Sequence, residues 1–482
     1  LLDSARAHDE AGRPADALAE AWRAFDLAPG EQDAKRLLAS LLRRNPGAAA
    51  PERREDIARL LADAAVDPVS IAPAAWLLLA AGQPFSTLAD DPAALADWIE
   101  ADDFARRLLA ETYVTLLAAE AALTRLRRWL LLSGRWPQFP RLVAALAAQA
   151  AHNGGAWPFD AEERARLDAA ADAPIAAAYL PPRTGADRAA FADPVTRGVA
   201  DQYRRWPYPS WSRVTTPRPK TVPAAVEEVD GGRPSGLPVA AEILVAGCGT
   251  GREAALIALG FPDARTIAID ISTASLAYAA ERCAAAGIAG VDFRLLDLHR
   301  AAELGTAFDF ITCSGVLHHL PDPEAGWAAL AGALKPGGAM RVMVYSRIAR
   351  LRVQAARTYI ADLLGRPIDD DLLRDVRRRL IGKAAHLLAG SQDFYTLGGI
   401  HDLLLHRHED PFDVPRIVRA LDRLGLELLA FDLPTPFHRA RYRREHPDDP
   451  AFRDVKAWAA LEMKEPLLFR GMYKFWCRKP AG

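Results

Sequence analysis

The spacing of apolar residues changes along the chain, and it divides the sequence near residue 240. Over 1–180, apolar positions recur at three- and four-residue steps among Ala, Leu, Arg and Glu, which predicts helix throughout. The stretch 101–134 reads as one long helix or two. It is apolar over more than one narrow face and is expected at the centre of a bundle. A further helix is predicted over 138–152, ended by Asn153-Gly154-Gly155. Gly12, Ala17, Ala24 and Pro29 fit the second half of a tetratricopeptide repeat, where small residues let two helices approach and Pro ends the second. A plain helical hairpin fits equally, because nothing at the repeat offset of about 34 residues renews the pattern.

Between 173 and 240 the texture is broken by Pro181, Pro182, Pro217, Pro219, Pro223, Pro234 and Pro238, with Gly231, Gly232 and Gly236, and a connector is predicted. Inside it, 200–211 (ADQYRRWPYPSW) is dense in aromatics and is expected to pack on something. From 241 strand and helix alternate. AEILVAG, RTIAIDIS, VDFRLLD, FDFITCSG and AMRVMVYS read as strands, with REAALIALG, TASLAYAAERCAAAG and EAGWAALAGALKPGG as helices between them. That alternation predicts an α/β fold with a parallel, doubly wound sheet. The runs 424–432 and 470–478 are candidates to finish it. The predicted organisation is a helical domain at 1–180, a connector at 181–240 and an α/β domain at 241–482 with a helical insertion at about 346–415.

Charge and cysteine usage narrow the partners. With 60 Lys+Arg against 62 Asp+Glu in 482 residues, the formal charge is −2, which speaks against nucleic acid as a partner. Arg outnumbers Lys 52 to 8, and with so much Ala this reads as genome composition bias. Cys248, Cys283, Cys313 and Cys477 lie far apart without CxxC spacing, so a reducing, cytoplasmic setting is expected, with no disulfide framework or zinc cluster. The longest apolar run, IAPAAWLLLAA at 71–81, is too short to span a bilayer, so no membrane association is expected. No basic start followed by an apolar stretch marks a secretory leader.

The chemistry concentrates at Gly247-Cys248-Gly249-Thr250-Gly251, between a strand and a helix. Glycines there permit a tight turn and close approach of a ligand to the backbone, and the helix start offers free N–H groups. Asp270 ends the second predicted strand, where a carboxylate suits the two hydroxyls of a ribose. The spacing is GxGxG, not GxGxxG, which turns the reading away from a dinucleotide. Asp297, ending the third strand, is placed to accept from an adenine amino group; its alternative role is a helix N-cap.

This set, with GVLHHLPDP after the fourth strand and LKPGG at 334–338, resembles the class I S-adenosylmethionine-dependent methyltransferases. The wider strings QYRRWPYPSW, ILVAGCGTGRE and DFYTLGGIHDLLLHRHEDPF are similar to a bacterial group of these with an N-terminal tetratricopeptide-like helical domain. The resemblance implies a Rossmann-like seven-stranded methyltransferase sheet after an all-α domain, with S-adenosylmethionine as cofactor and S-adenosylhomocysteine as product. It places Gly247, Cys248, Gly249 and Gly251 against the methionine part. It places Asp270 and Ile271 at the ribose, Asp297 and Leu298 at the adenine, and Cys313 and Ser314 at the end of strand four. Two departures stand out. The family usually carries an acid two residues before the first glycine, and here that place is Val245; either the cofactor's amino end is held otherwise, or binding is weakened or lost. In the later block His401 replaces an Arg, while Asp402 and His406 match.

Methyl transfer from a sulfonium is an in-line displacement that depends mainly on alignment and on excluding water. A base is needed only where the acceptor loses a proton. His318 and His319, after strand four, are candidates to orient the acceptor or take that proton, with packing as the alternative. His406 and Asp402 are expected at i and i+4 on a helix, as a second polar corner. Tyr345, ending strand five, is expected at the mouth. Tyr203 and Tyr208, with Trp206 and Trp211, are expected as an aromatic lid over the cofactor or as packing on the sheet edge. Arg252 is a candidate for the cofactor carboxylate or simply starts a helix. His401, His406 and His408 read as a hydrogen-bonded or solvated face, and no metal is expected. The expected function is methyl transfer to a peptide, protein or small-metabolite acceptor recruited by the helical domain. The other readings are a binding scaffold with a lapsed methyltransferase fold, and an RNA methyltransferase; charge and the missing NPPY-like tetrapeptide oppose the last.

Overall fold

β-Branched, apolar runs form one seven-stranded sheet: β1 Glu242–Ala246, β2 Arg265–Asp270, β3 Val291–Leu295, β4 Phe308–Ser314, β5 Leu334–Val344, β6 Glu427–Phe431 and β7 Tyr473–Arg478. The computed structural model describes all residues except 83, 182–190, 192, 434, 451 and 482, so Pro182 of the predicted connector lies outside the described residues. The strand order is β3-β2-β1-β4-β5-β7-β6. β1 to β5 pair in parallel, as their helical crossovers require. β7 runs antiparallel to both β5 and β6, so the two runs that were candidates to finish the parallel sheet do so as a mixed edge. β5 also begins at Leu334, so LKPGG belongs to the ladder, across a register shift opposite Phe308 and Phe310. After β3 the chain crosses back to pair β4 with β1. Ligands bind at such a reversal, outside the carboxyl ends of the strands.

Both faces of the sheet are buried, which is why the central strands are apolar without alternation. One face carries Ile243, Val245, Ala268, Phe310 and Trp476 and packs on the helices Val222–Val229 and Arg252–Gly260. The other carries Leu244, Ile269, Ile311, Met340 and Val342 and packs on Pro323–Ala333, Val414–Leu424 and Trp458.

The described chain divides into two compact units. One comprises Leu1–Thr184, Ser210–Thr215 and Ala355–Leu405; the other comprises Gly185–Pro209, Thr216–Gln354 and His406–Gly482 and contains the sheet. The first is all helix and turn, with a core that includes Trp22, Phe25, Trp76, Phe104, Leu126 and Tyr179. The stretch 101–134 is two helices, Asp103–Glu111 and Leu117–Ser133, because Thr112 takes an extended backbone. Helix Pro140–Asn153 stops at Gly154 in the left-handed conformation, at φ +69°. Among the described residues, no helix is long and apolar enough to cross a membrane.

The predicted connector contains two helices, Pro194–Arg205 and Val222–Val229. Its prolines were read as breakers. Pro223, one of them, instead occupies the first helical turn, where no N–H is needed, behind the N-cap Thr221, and Pro194 opens the other helix behind Asp193.

Segment 355–405 is fastened into the helical unit by charge. Arg377 donates through both terminal nitrogens to Glu120, at 2.5 and 2.6 Å, and through Nε to the Phe394 carbonyl. The side chains are only 1% and 5% exposed. Breaking one partner of such a fork leaves an uncompensated buried charge. Glu120→Ala or Arg377→Ala is therefore expected to cost about 3–5 kcal/mol in urea denaturation, and the apolar double variant Glu120→Leu/Arg377→Met less than either single change.

Candidate active site

The glycine loop hangs from the end of β2. The Gly247 and Cys248 N–H groups both donate to the Ile269 carbonyl, at 2.8 and 2.9 Å. Asp270 accepts from the Gly249 N–H on one oxygen and the Ser272 N–H on the other, each at 2.8 Å. Burial raises the carboxyl's pKa above the usual range, against the pull of the Ser272, Gly249 and Ile271 amides. A Cβ on Gly247, at φ +70°, would stand 2.4 Å from the Val316 side chain, so only glycine fits there. Gly251 ends the loop as an N-cap with no side chain to bond, so the first-turn N–H groups of helix Arg252–Gly260 lack a side-chain acceptor.

These groups fit S-adenosylmethionine. Each Asp270 oxygen has one amide partner and a second lone pair for a ribose hydroxyl. The uncapped helix start suits a carboxylate. Asp297 caps the 3₁₀ turn Leu298–Leu304, and its Oδ1 accepts from the backbone and ring Nδ1 of His299, at 3.0 and 2.8 Å. The N-cap geometry is therefore present. Burial opposes the Asp297 charge, but the His299 bonds prevail and its pKa falls, while His299 rises. Ile271 is half-buried, and Leu298 packs in the core. Cys313 also points into the core, fully buried, and burial pushes its thiol pKa up. Cys248 is buried with its thiol likewise raised.

Reading motifs missed Glu253, in the first turn after the loop. Its Oε1 accepts from Thr312 at 2.6 Å, Ser314 at 2.9 Å and Arg341 at 2.5 Å. Burial disfavours its charge, but Arg341 and the two hydroxyls outweigh it and hold the carboxyl below the usual range. An acid two residues past the last glycine was the available signal.

The histidines gather beyond β4 and β5. His319 stacks on His406 with ring centroids 3.6 Å apart, and His318 lies 4.0 Å from Tyr345. The strip 408–412 straps these ends together. The His319 Nδ1–H donates to the His408 carbonyl at 2.9 Å, the Asp410 N–H to the His318 carbonyl and the Phe412 N–H to the Tyr345 carbonyl. His318 Nδ1 accepts the Tyr345 N–H at 3.2 Å, a bracing contact. Arg350 covers Tyr345 at 4.4 Å and pairs with Glu409. Burial first, then neighbouring His406, pushes the pKa of His319 well down.

Tyr203 turns its hydroxyl to His406 Nε2 at 3.3 Å. The Tyr208 carbonyl oxygen faces Gly249, where an added Cβ would come within 3.2 Å of it, and Thr250 donates to the Pro209 carbonyl. The segment before β1 thus lies against the glycine loop. The helix expected to carry both Asp402 and His406 ends at Leu404. Its closing amide, on Leu405, bonds the His401 carbonyl, and His406 follows beyond the last turn. Asp402 is buried within the helical unit.

Residues 244–340 match the family described as Methyltransferase domain. An uncharacterized protein of Synechococcus sp. is 34% identical over 50% of this chain and 61% of its own length. The ubiquinone biosynthesis O-methyltransferase of Chromobacterium violaceum is 33% identical over 26% of this chain and 54% of its own. The trans-aconitate 2-methyltransferase of Variovorax paradoxus is 36% identical over 22% and 40%. The chain thus spans less than two thirds of the length of each of these relatives. The matched residues run from within β1, through the glycine loop, to within β5, the part that holds Asp270, Glu253 and the ends of β1 and β4, and the chain accordingly carries a class I S-adenosylmethionine-dependent methyltransferase domain.

Proposed function

We propose that the protein transfers a methyl group from S-adenosylmethionine to a hydroxyl- or carboxyl-bearing small metabolite, or to the same group on a peptide. The helical unit recruits that acceptor, with a tetratricopeptide-like arrangement of its first helices. The observation that carries the reading is the Asp270 carboxylate, which holds the glycine loop to β2 and keeps lone pairs for two hydroxyls at the point where the strand order reverses. The name of the trans-aconitate 2-methyltransferase supports a small acceptor, and that of the ubiquinone biosynthesis O-methyltransferase supports an oxygen as the methylated atom.

When bound, the cofactor supplies an electrophilic methyl carbon on a sulfonium. The chain's own work is then alignment, exclusion of water and removal of a proton. A carbonyl oxygen only accepts, so the bond from His319 Nδ1 to His408 fixes the proton on Nδ1 and leaves the lone pair on Nε2. With its pKa pushed down, the ring is neutral at pH 7 and Nε2 can take the proton of an acceptor hydroxyl. His406 stacks on it and orients it. By the same reasoning, the Nδ1 of His406 accepts the His408 N–H, which leaves Nε2–H to face Tyr203. A carboxylate acceptor would need no base, so the His319 requirement separates the two acceptor types.

Asp270→Ala is expected to weaken S-adenosylhomocysteine at least about 10-fold by calorimetry. The Asp270 pKa is raised, so wild-type affinity is complete above that pKa and falls as the pH drops through it, starting above the ordinary Asp value of about 3.9; Asp270→Asn removes this step. Acceptor class is read by mass spectrometry of cell extract incubated with the enzyme and isotope-labelled S-adenosylmethionine. For a hydroxyl acceptor found that way, His319→Ala is expected to lower turnover by about 10²–10⁴-fold with unchanged S-adenosylhomocysteine affinity, and equal turnover would remove His319 from the proton path.

A further inference from the structure

The domain lacks an acid at Val245, yet a carboxylate stands at the same place on the sheet. Val245 is in register with Thr312 on the neighbouring strand, and Phe310, two residues before Thr312, shares Val245's core face. The side chains of Val245 and Thr312 therefore project side by side from one face of the sheet. Glu253 reaches that spot from the opposite direction, down from the first turn of helix Arg252–Gly260, and bonds Thr312 directly.

Its two oxygens are used unequally. Oε1 takes all three donors, from Thr312, Ser314 and Arg341, while Oε2 has no hydrogen-bond partner among the described residues. The side chain is 22% exposed, so this oxygen is not sealed in the core. The other ends of the network are anchored. Arg341 lies on β5 beneath the Trp476 ring, 5.8 Å from its centroid, and Ser314 closes β4. A carboxylate held ionised, saturated on one oxygen and open on the other, beside the glycine loop, is a receptor for a cationic hydrogen-bond donor. A ligand of this loop offers one such group, a primary ammonium.

We propose that Glu253 holds the α-ammonium of the cofactor through Oε2, supplying from the helix the carboxylate that Val245 does not supply from the strand. Arg341, Thr312 and Ser314 are positioning residues that fix its rotamer and keep it charged. The inference rests on the methyltransferase reading of this site.

The test compares two ligands by calorimetry: S-adenosylhomocysteine, which carries the ammonium, and 5′-methylthioadenosine, which shares the nucleoside but lacks the amino-acid end. Glu253→Gln keeps an acceptor for the three donors and removes the charge. It is expected to weaken S-adenosylhomocysteine about 10- to 100-fold and to leave 5′-methylthioadenosine unchanged. Adding Val245→Asp to Glu253→Gln is expected to recover part of the loss for S-adenosylhomocysteine alone. Equal weakening of both ligands would make Glu253 a support of the loop and overturn the proposal, as would no effect on either. Should Glu253→Gln fail to fold, wild type is titrated with S-adenosylhomocysteine whose amine is replaced by hydrogen, and Glu253→Asp with both ligands. A deaminated ligand bound as tightly as the parent overturns the proposal. Wild type that binds 5′-methylthioadenosine but not S-adenosylhomocysteine also overturns it, whereas wild type that binds neither defeats the methyltransferase reading itself.

Discussion

The site depends on one buried carboxylate. Asp270 joins the turn after β1 to the turn after β2 through two amide bonds at 2.8 Å, and the Ile269 carbonyl beside it takes two more amides from the same loop. Hydrogen bonds to a charged group are worth about 1.5–3 kcal/mol each, and they counter only part of the desolvation, which still raises this acid's pKa. The loop is thus held by backbone atoms that any residue supplies, and its glycines answer a different demand. Gly247 must clear Val316 beyond β4, and Gly251 must clear Ala279 on helix Thr273–Ala285, 2.5 Å from where its Cβ would stand. Three neighbours of β1 therefore converge on one turn. The loop's shape follows from packing before any ligand is considered.

The second constraint is polar and lies inside the core of the other half of the site. Between Phe310, which stacks on Trp476 at 5.2 Å, and the end of β4, the sheet face changes from aromatic to hydroxyl and carboxylate. Four polar side chains replace apolar contacts there. A cluster of this kind is weak evidence for stability, since matched apolar residues often serve as well. Its persistence next to the ligand-binding edge is more simply explained by a need for a fixed charge. The strap 408–412 applies the same logic to the histidines. Backbone bonds tie it to the ends of β4 and β5, and it sets the tautomers of His319 and His406.

Much of the sheet was legible because local signals agreed with it. β-Branched runs gave the strands, and the glycine turn followed by Asp270 gave the switch point. What was not legible depended on distance or direction. No local pattern distinguishes a parallel from an antiparallel last strand, so β7's direction became visible only through its pairing with β5. The attachment of 355–405 to the helical unit rests on Glu120 and Arg377, 257 residues apart, and each alone reads as an exposed helical charge. Pro223 was misread because a proline that opens a helix and one that breaks it look alike without the capping residue before them. His406 was placed on a helix because spacing i, i+4 has no way of showing where a helix ends.

Glu253 shows why motif spacing and site chemistry come apart. A motif records which residue type stands at which step along the chain. A ligand meets a charge at a point in space, and on a sheet that point is reached either from the strand beneath or from the helix packed over it. Val245 and Glu253 are eight positions apart in sequence, yet both address Thr312, one through register and one through a hydrogen bond. A chain that moves its acid from strand to helix therefore loses the motif and keeps the field. The cost of the move is that the long Glu side chain must be immobilised, and three donors on a single oxygen do that. The same donors leave the second oxygen available, so rigidity and receptivity arise from one arrangement.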